Sequence, residues 1–229
     1  MNDPLKILIA DDDNLNRILL SKLIQKFGVE CETAPNGSEA LSVFELSHFD
    51  AVFLDINMPV MSGPECASEI IRIAPDRKPL LVCISADEKG PETSMFDYFL
   101  LKPFNTDEIR DLLDALTSAL KSEMSYDFEE VIRIIGLDRE TMQMLMDEFF
   151  SVMTEELENL KKAVAERNSD MITHVAHKMK GAAAGMMVEN LRNLCSEMQN
   201  VNKSDIRLVR LLLVQIGCCF SRFRGLFTK

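Results

Sequence analysis

Two sets of residues carry side chains suited to chemistry. The first is the run Asp11, Asp12 and Asp13, together with Asp55, Ser85 and Lys102, each placed just after a short apolar stretch. The second is His177, followed at helical spacing by Lys180 and Gly181. Crowded carboxylates repel one another unless a cation offsets their charge. A hard divalent ion such as Mg²⁺ takes oxygen ligands and keeps waters, which leaves room for phosphoryl oxygens. A carboxylate beside such an ion can act as a nucleophile toward phosphorus, and an ammonium group stabilises charge on the transferred oxygens. An exposed imidazole is a second kind of phosphoryl acceptor. Lys180, one turn on, would offset the added charge, and Gly181 would leave space for a docking partner. Glycine inside a helix costs about 1 kcal/mol relative to alanine, so its presence there asks for a reason.

The elements that must position the first set alternate between two periods. Leu5–Ala10, broken only by Lys6, and the continuous runs Ala51–Leu54 and Leu80–Ile84 are apolar stretches of the buried-strand kind. Val29–Thr33 and Phe96–Leu101 read as two further strands. Between them, Asn14–Phe27 repeats apolar residues at helical spacing (Leu15, Ile18, Leu19, Leu23, Ile24, Phe27) and meets Gly28 as a stop. Gly37–Leu46 and Pro64–Ile73 read as helices, and Thr106–Leu120 as another with Thr106 at its N-cap. Strand–helix repeats of this kind predict a doubly wound α/β fold, a five-stranded parallel sheet with helices on both faces. In such sheets ligands gather at the carboxyl ends of the strands. Any one of these polar residues fits a plainer role as turn, cap or surface residue. Their joint placement at successive strand ends is what points to a site.

In this context Asp11-Asp12, Asp55-Ile-Asn-Met-Pro-Val-Met-Ser-Gly63, Ser85-Ala86 and Lys102-Pro103-Phe104 resemble the response-regulator receiver domain, a flavodoxin-like fold, over about residues 4–120. The resemblance implies that Asp55 is the phosphoacceptor. It implies that Asp11, Asp12, Asp55 and the backbone carbonyl of Asn57 hold Mg²⁺. Ser85 would hydrogen-bond the phosphoryl group and Lys102 would pair with it. Phe99 occupies the place of the aromatic switch residue, and Asn57 and Asp87 fall where relatives tune hydrolysis. Two features depart from the family's pattern. Asp13 stands where relatives often carry Asn, which predicts a more acidic pocket. Ser85 and Lys102 are only 17 positions apart, with Gly90-Pro91 between them. That predicts a shortened or irregular fourth helix and an altered signalling face.

The second half keeps a helical period throughout. Phe128–Ile135 is a short amphipathic stretch ending at Gly136, and Asp138 opens a long helix. Asn168-Ser169-Asp170 breaks that helix and caps the next, Met171–Met187. Glu189–Val201 and Asp205–Phe223 follow. Short breaks between long helices predict antiparallel neighbours and a helical bundle, with the methionine stripes read as core. Residues 127–226 resemble a histidine-containing phosphotransfer domain. The likeness rests on His177-x-x-Lys180-Gly181, on the helix ending in Ala163…Asn168 before it, and on Leu191-x-x-x-Cys195 after it. It implies that His177 is the phosphorylated residue. His174 lies on a similar face, but no Lys-Gly follows it at that spacing. The expected organisation is a receiver over 1–120 and a phosphotransfer bundle over 121–229. The connecting stretch 118–127 lacks Gly and Pro and is expected to continue the preceding helix.

Charge and composition exclude several functions. The first 120 residues hold 10 Lys+Arg against 21 Asp+Glu, and the whole chain carries −12. Neutralising a nucleic-acid backbone needs clustered basic residues, so nucleic-acid binding is not expected. The six cysteines form no C-x-x-C or zinc-spaced pair, which suits free thiols in a cytoplasmic protein. MNDPLKILIA is not a signal-peptide pattern. The run Leu208–Phe220 is too short and too interrupted by Arg210 and Gln215 to cross a membrane. No glycine-rich nucleotide loop is present. The chain is therefore expected to act as a relay without phosphorylating itself from ATP. Its expected donor is a sensor histidine kinase or another phospho-histidine protein, and its expected partner through His177 is a receiver domain. Two alternatives stay open. One is an aspartyl-nucleophile phosphatase, although haloacid-dehalogenase-like enzymes place a second acid where this chain has Asn57. The other is a receiver-controlled binding switch in which His177 carries nothing.

Overall fold

The computed structural model describes residues 4–75, 78–86 and 95–227. The chain divides into two compact units, Met1–Thr117 and Ser118–Lys229.

In the first unit five parallel strands pair in the order β2-β1-β3-β4-β5. They are β1 (Lys6–Ala10), β2 (Glu30–Ala34), β3 (Ala51–Asp55), β4 (Leu80–Ser85) and β5 (Tyr98–Leu101). Every residue of β3 and β4 is buried, as expected of central strands covered on both faces. Alternation along the strands sends Leu8, Ala10, Val52, Leu54, Leu81 and Cys83 into one apolar layer. Their buried neighbours Ile7, Ile9, Phe53, Val82 and Ile84 serve the other layer. Each such side chain contributes about 1.5–3 kcal/mol on burial, which makes the register costly to shift.

Among the described residues the sheet is accompanied by α1 (Asn14–Gln25), α2 (Gly37–Leu46), α3 (Gly63–Ile73) and α4 (Thr106–Lys121). In α1, Leu20, Leu23 and Ile24 are buried, whereas Leu15, Ile18 and Leu19 face outward at 75%, 49% and 51% exposure. The cap expected at Thr106 is supplied one residue earlier. The Asn105 side chain accepts the amide N–H groups of Asp107 and Glu108 at 2.8 and 3.3 Å. Both residues could play that part, and the helix begins directly after the better-ranked capping side chain. Helix α4 continues to Lys121, so the first residues of the Gly- and Pro-free stretch are helical.

The second unit is helical: α5 (Phe128–Ile135), α6 (Arg139–Ala165), α7 (Ser169–Gly185), α8 (Glu189–Asn200) and α9 (Ile206–Gly225). Side-chain caps set the starts of α5, α6, α7 and α9, while α8 begins after Val188 without one. Asp138, Asn168 and Asp205 accept the amide N–H groups of Thr141, Met171 and Leu208. Gly136 closes α5 at φ +77°, a left-handed conformation that favours glycine. The core joins Met142, Met146, Phe149 and Met153 of α6 with Ile172, Val175, Ala176 and Met179 of α7. Leu191, Cys195 and Met198 of α8 and the apolar face of α9 close it. Most of the methionines in these stripes are therefore core, filling gaps between helices. Among the described residues, no helix is long and apolar enough to cross a membrane.

Candidate functional site

The first site forms where β1, β3, β4 and β5 end. Asp11 follows β1 and is 1% exposed. Its Oδ1 accepts from the Asp13 amide at 2.9 Å and from Asn16 Nδ2 at 3.5 Å. Asp55 is the last residue of β3 and is buried. Lys102 follows β5, and its amide N–H donates to the Ser85 carbonyl at 2.8 Å, which aligns the two strand ends. From there Lys102 Nζ lies 2.7 Å from Asp55 Oδ1 and 2.8 Å from Asp11 Oδ2. Asp55 Oδ2 accepts the Asn57 amide N–H at 3.1 Å.

The other residues flank this bridge. Ser85 is buried at the end of β4. Phe99, in β5, is half-buried and meets Phe96 edge-on at 6.2 Å between ring centres. Asn57 and Asp12 are exposed. Asp87 and the Gly90-Pro91 segment lie outside the described residues. The carboxylate of Asp13, expected to make the pocket more acidic, is engaged as a helix cap. Asp13 is exposed, and its carboxylate accepts the Leu15 and Asn16 amides at 2.7 and 3.3 Å as the N-cap of α1. A carboxylate at a helix start is stabilised there by the unpaired amides. The loop after Asp55 returns so tightly that a Cβ on Gly63 would overlap the Asp55 carbonyl.

The electrostatics follow from burial and pairing. Burial lifts the Asp55 carboxyl above the usual range, and Lys102 only partly opposes it. Burial alone would lower the Lys102 pKa, but its hydrogen bonds to Asp11 and Asp55 leave it raised. Burial pushes the Cys83 thiol, which feels the Asp55 charge, up to about 12, and does the same to Cys66.

Asp11 Oδ2 is buried, and among the described residues its one polar partner is the Lys102 ammonium. An oxygen so placed, with Asp55 across the same ammonium, suits a hard divalent cation. Among the described residues, no three His, Cys, Asp or Glu side chains converge into a finished metal cluster. Water and phosphoryl oxygens would supply the remaining positions.

The second site is on α7. Ile172, Val175, Ala176 and Met179 turn inward, which leaves His177 exposed. Gln199, in the last turn of α8, links the two residues singled out in the sequence. Its Oε1 accepts from Lys180 Nζ at 2.6 Å, and its Nε2 lies 3.4 Å from His177 Nδ1. Because Lys180 can only donate, it orients the amide with N–H toward the imidazole, and His177 Nε2 is left free of that contact. A Cβ added at Gly181 would meet nothing within 4 Å. Lys178 is held on the far side of His177 by buried Glu156 at 2.8 Å.

Gln199 is absent from the sequence-derived set. Val188 lies midway between His177 and Gln199 in the chain, so an antiparallel α7–α8 hairpin turning there brings the two opposite each other. That register is the signal that would have found it. Arg17 was missed as well. It donates to the carbonyls of Asp11 and Asp12.

Residues 7–114 belong to the response regulator receiver domain family and residues 144–215 to the Hpt domain family, both in one chain. The two family matches support a role in two-component phosphorelay signalling. The sensor protein EvgS of Escherichia coli K12 is 26% identical over 211 residues, covering 89% of this chain and 18% of that protein. The hybrid signal transduction histidine kinase K of Dictyostelium discoideum is 29% identical over 124 residues, covering 49% of this chain and 10% of that protein. The chain thus spans less than a fifth of either relative. The response regulator TrrA of Thermotoga maritima, solved in complex with Mg²⁺ and BeF, is 35% identical. The match covers 49% of this chain and 98% of that one, with a TM-score of 0.45.

Proposed function

We propose that Asp55 accepts a phosphoryl group from a phospho-histidine donor and that His177 exchanges phosphoryl groups with a receiver domain. The observation that carries this reading is the Lys102 bridge between Asp55 and Asp11 at the carboxyl rim of the sheet. In the first step an Asp55 carboxylate oxygen attacks phosphorus, the donor's N–P bond breaks, and the departing imidazole takes up a proton. Lys102, already within hydrogen-bond reach of the nucleophile, offsets charge on the transferred oxygens. Ser85 would hydrogen-bond the phosphoryl group, Phe99 would respond to it, and Asn57 and Asp87 would tune its hydrolysis.

Receiver domains are generally Mg²⁺-dependent. In this chain Asp11, Asp12, Asp55 and the Asn57 carbonyl would hold the ion, which when bound supplies charge neutralisation at phosphorus. At the second site His177 Nε2 is the nitrogen left open for phosphorus, and Lys180 supplies the neighbouring positive charge.

The receiver is taken as residues 1–120 and the phosphotransfer domain as 121–229. The proposed partners are a sensor histidine kinase or other phospho-histidine donor and a downstream receiver. Leu15, Ile18 and Leu19, exposed on α1 directly after the acidic loop, would give a partner an apolar surface. Six free cysteines accord with a cytoplasmic setting. The test is a radiolabel time course with a phospho-histidine donor in Mg²⁺. Asp55→Ala should abolish acceptance at the receiver, and His177→Ala should abolish exchange with a second receiver. Transfer persisting in both variants would overturn the relay.

A further inference from the structure

We infer that Arg17 is a positioning residue for the cation site, acting by holding the backbone on both sides of Asp12. This rests on the metal set proposed above. Arg17 stands in the first turn of α1 and is half-buried. One guanidinium nitrogen donates to the Asp11 carbonyl at 2.6 Å and to the Asp12 carbonyl at 3.1 Å. The other donates to Asn14 Oδ1 at 3.1 Å. All three contacts go to neutral oxygens, although three carboxylates lie within six residues.

The three proposed carboxylate ligands are fixed by different means. Asp55 is held by its strand and by Lys102. Asp11 is held by the Asp13 amide and by Lys102. Asp12 is exposed, in a bend between β1 and α1, and neither sheet nor helix orients it. Its two flanking peptide planes carry the two carbonyls that Arg17 binds. Fixing both planes fixes φ and ψ of Asp12 and therefore the direction in which its side chain leaves the backbone. Groups that orient metal ligands in this way commonly change affinity 10- to 100-fold when removed.

Charge alone makes the opposite prediction. Arg17 is a fixed cation close to where Mg²⁺ would bind, so deleting it should tighten binding if electrostatics dominated. The sign of the change therefore separates the two roles. Mg²⁺ is titrated calorimetrically into the full chain at low ionic strength, with wild type, Arg17→Ala, Arg17→Lys, Asp12→Ala and the Asp12→Ala/Arg17→Ala double variant.

We expect Arg17→Ala to raise the Mg²⁺ Kd by roughly tenfold. Arg17→Lys, which keeps the charge and can reach one carbonyl, should fall between it and wild type. In the Asp12→Ala background removal of Arg17 should have little further effect, because its route of action is already gone. Unchanged or tighter binding in Arg17→Ala, or an equal loss in both backgrounds, would overturn the inference while leaving the metal set standing. Failure of the wild type to bind Mg²⁺ would remove the metal set itself, and this inference with it. If Arg17→Ala does not fold, Arg17→Lys decides the matter by the same comparison.

Discussion

Gly63 and Asp55 are in backbone contact, with the first residue of α3 packed against the carbonyl of the last residue of β3. The Gly63 amide donates to the Ile56 carbonyl at 3.1 Å, and no space is left for a side chain. The obstacle is backbone rather than a flexible side-chain end, so it cannot move aside without moving Asp55. Gly63→Ala should destabilise the receiver unit by about 1–3 kcal/mol and slow phosphorylation of Asp55. Urea unfolding together with a phosphorylation time course would check it. A variant as stable and as fast as wild type would show that the contact is relaxed at no cost.

Gly181 is the opposite case. Among the described residues, nothing beyond its own helix backbone lies within 4 Å of the position a Cβ would take. Gly181→Ala should therefore stabilise α7 by up to about 1 kcal/mol through helix propensity. If the open space serves a docking partner, the same variant should transfer phosphoryl groups more slowly. A gain in stability together with unchanged transfer would remove the docking role.

Asp55 offers a test in pH. Its carboxyl is raised above the ordinary value by burial. A carboxyl whose folded pKa exceeds its unfolded value favours the folded state while protonated. That contribution is lost as pH climbs through about 4 and beyond. Asp55→Asn removes the ionisation, and Lys102 still keeps Asp11 as a partner. The variant should thus be more stable than wild type at pH 7, and the advantage should fade toward pH 3. Denaturant midpoints at the two pH values measure this. An advantage that grows as pH falls would contradict it.

Gln199→Ala should leave the bundle folded and slow transfer through His177. The amide touches both Lys180 and His177, and loss of a hydrogen bond of this kind is worth about 0.5–1.5 kcal/mol, up to roughly tenfold in rate. Gln199→Glu, which can still accept from Lys180 but cannot donate to Nδ1, separates the two contacts. If both variants transfer at the wild-type rate, the bridge has no part in the chemistry.

Much of the fold was legible in the sequence because strands covered on both faces must be apolar throughout, as Ala51–Leu54 and Leu80–Ile84 are. The meeting of Asp11, Asp55 and Lys102 was legible for a related reason. In a parallel sheet every strand's carboxyl end reaches one rim, so residues 47 positions apart come within hydrogen-bond reach. Asp13 was harder, because a carboxylate before a helix suits either a cap or a cation pocket, and only the positions of the Leu15 and Asn16 amides decide. Leu15, Ile18 and Leu19 keep helical spacing with the residues that turn inward, and periodicity does not say how wide the covered stripe is. Gln199 was hidden because an amide has no signature of its own. Its place follows from the register of two helices, which the hydrophobic pattern sets only to within a residue or two.

That register gives the turn between α7 and α8 a part in the site, although it supplies none of the three groups of the Lys180–Gln199–His177 chain. If α8 took up a residue added between Gly185 and Glu189 as a shift of register, its side chains would turn by about 100° and move about 1.5 Å along the axis. Gln199 would then face elsewhere, and Leu191, Cys195 and Met198 would leave the core they now fill. The length of this connection is thus a constraint on any graft or chimaera built from the bundle. A transplanted α7 that carries His177, Lys180 and Gly181 intact would still arrive without its amide partner unless the turn came with it.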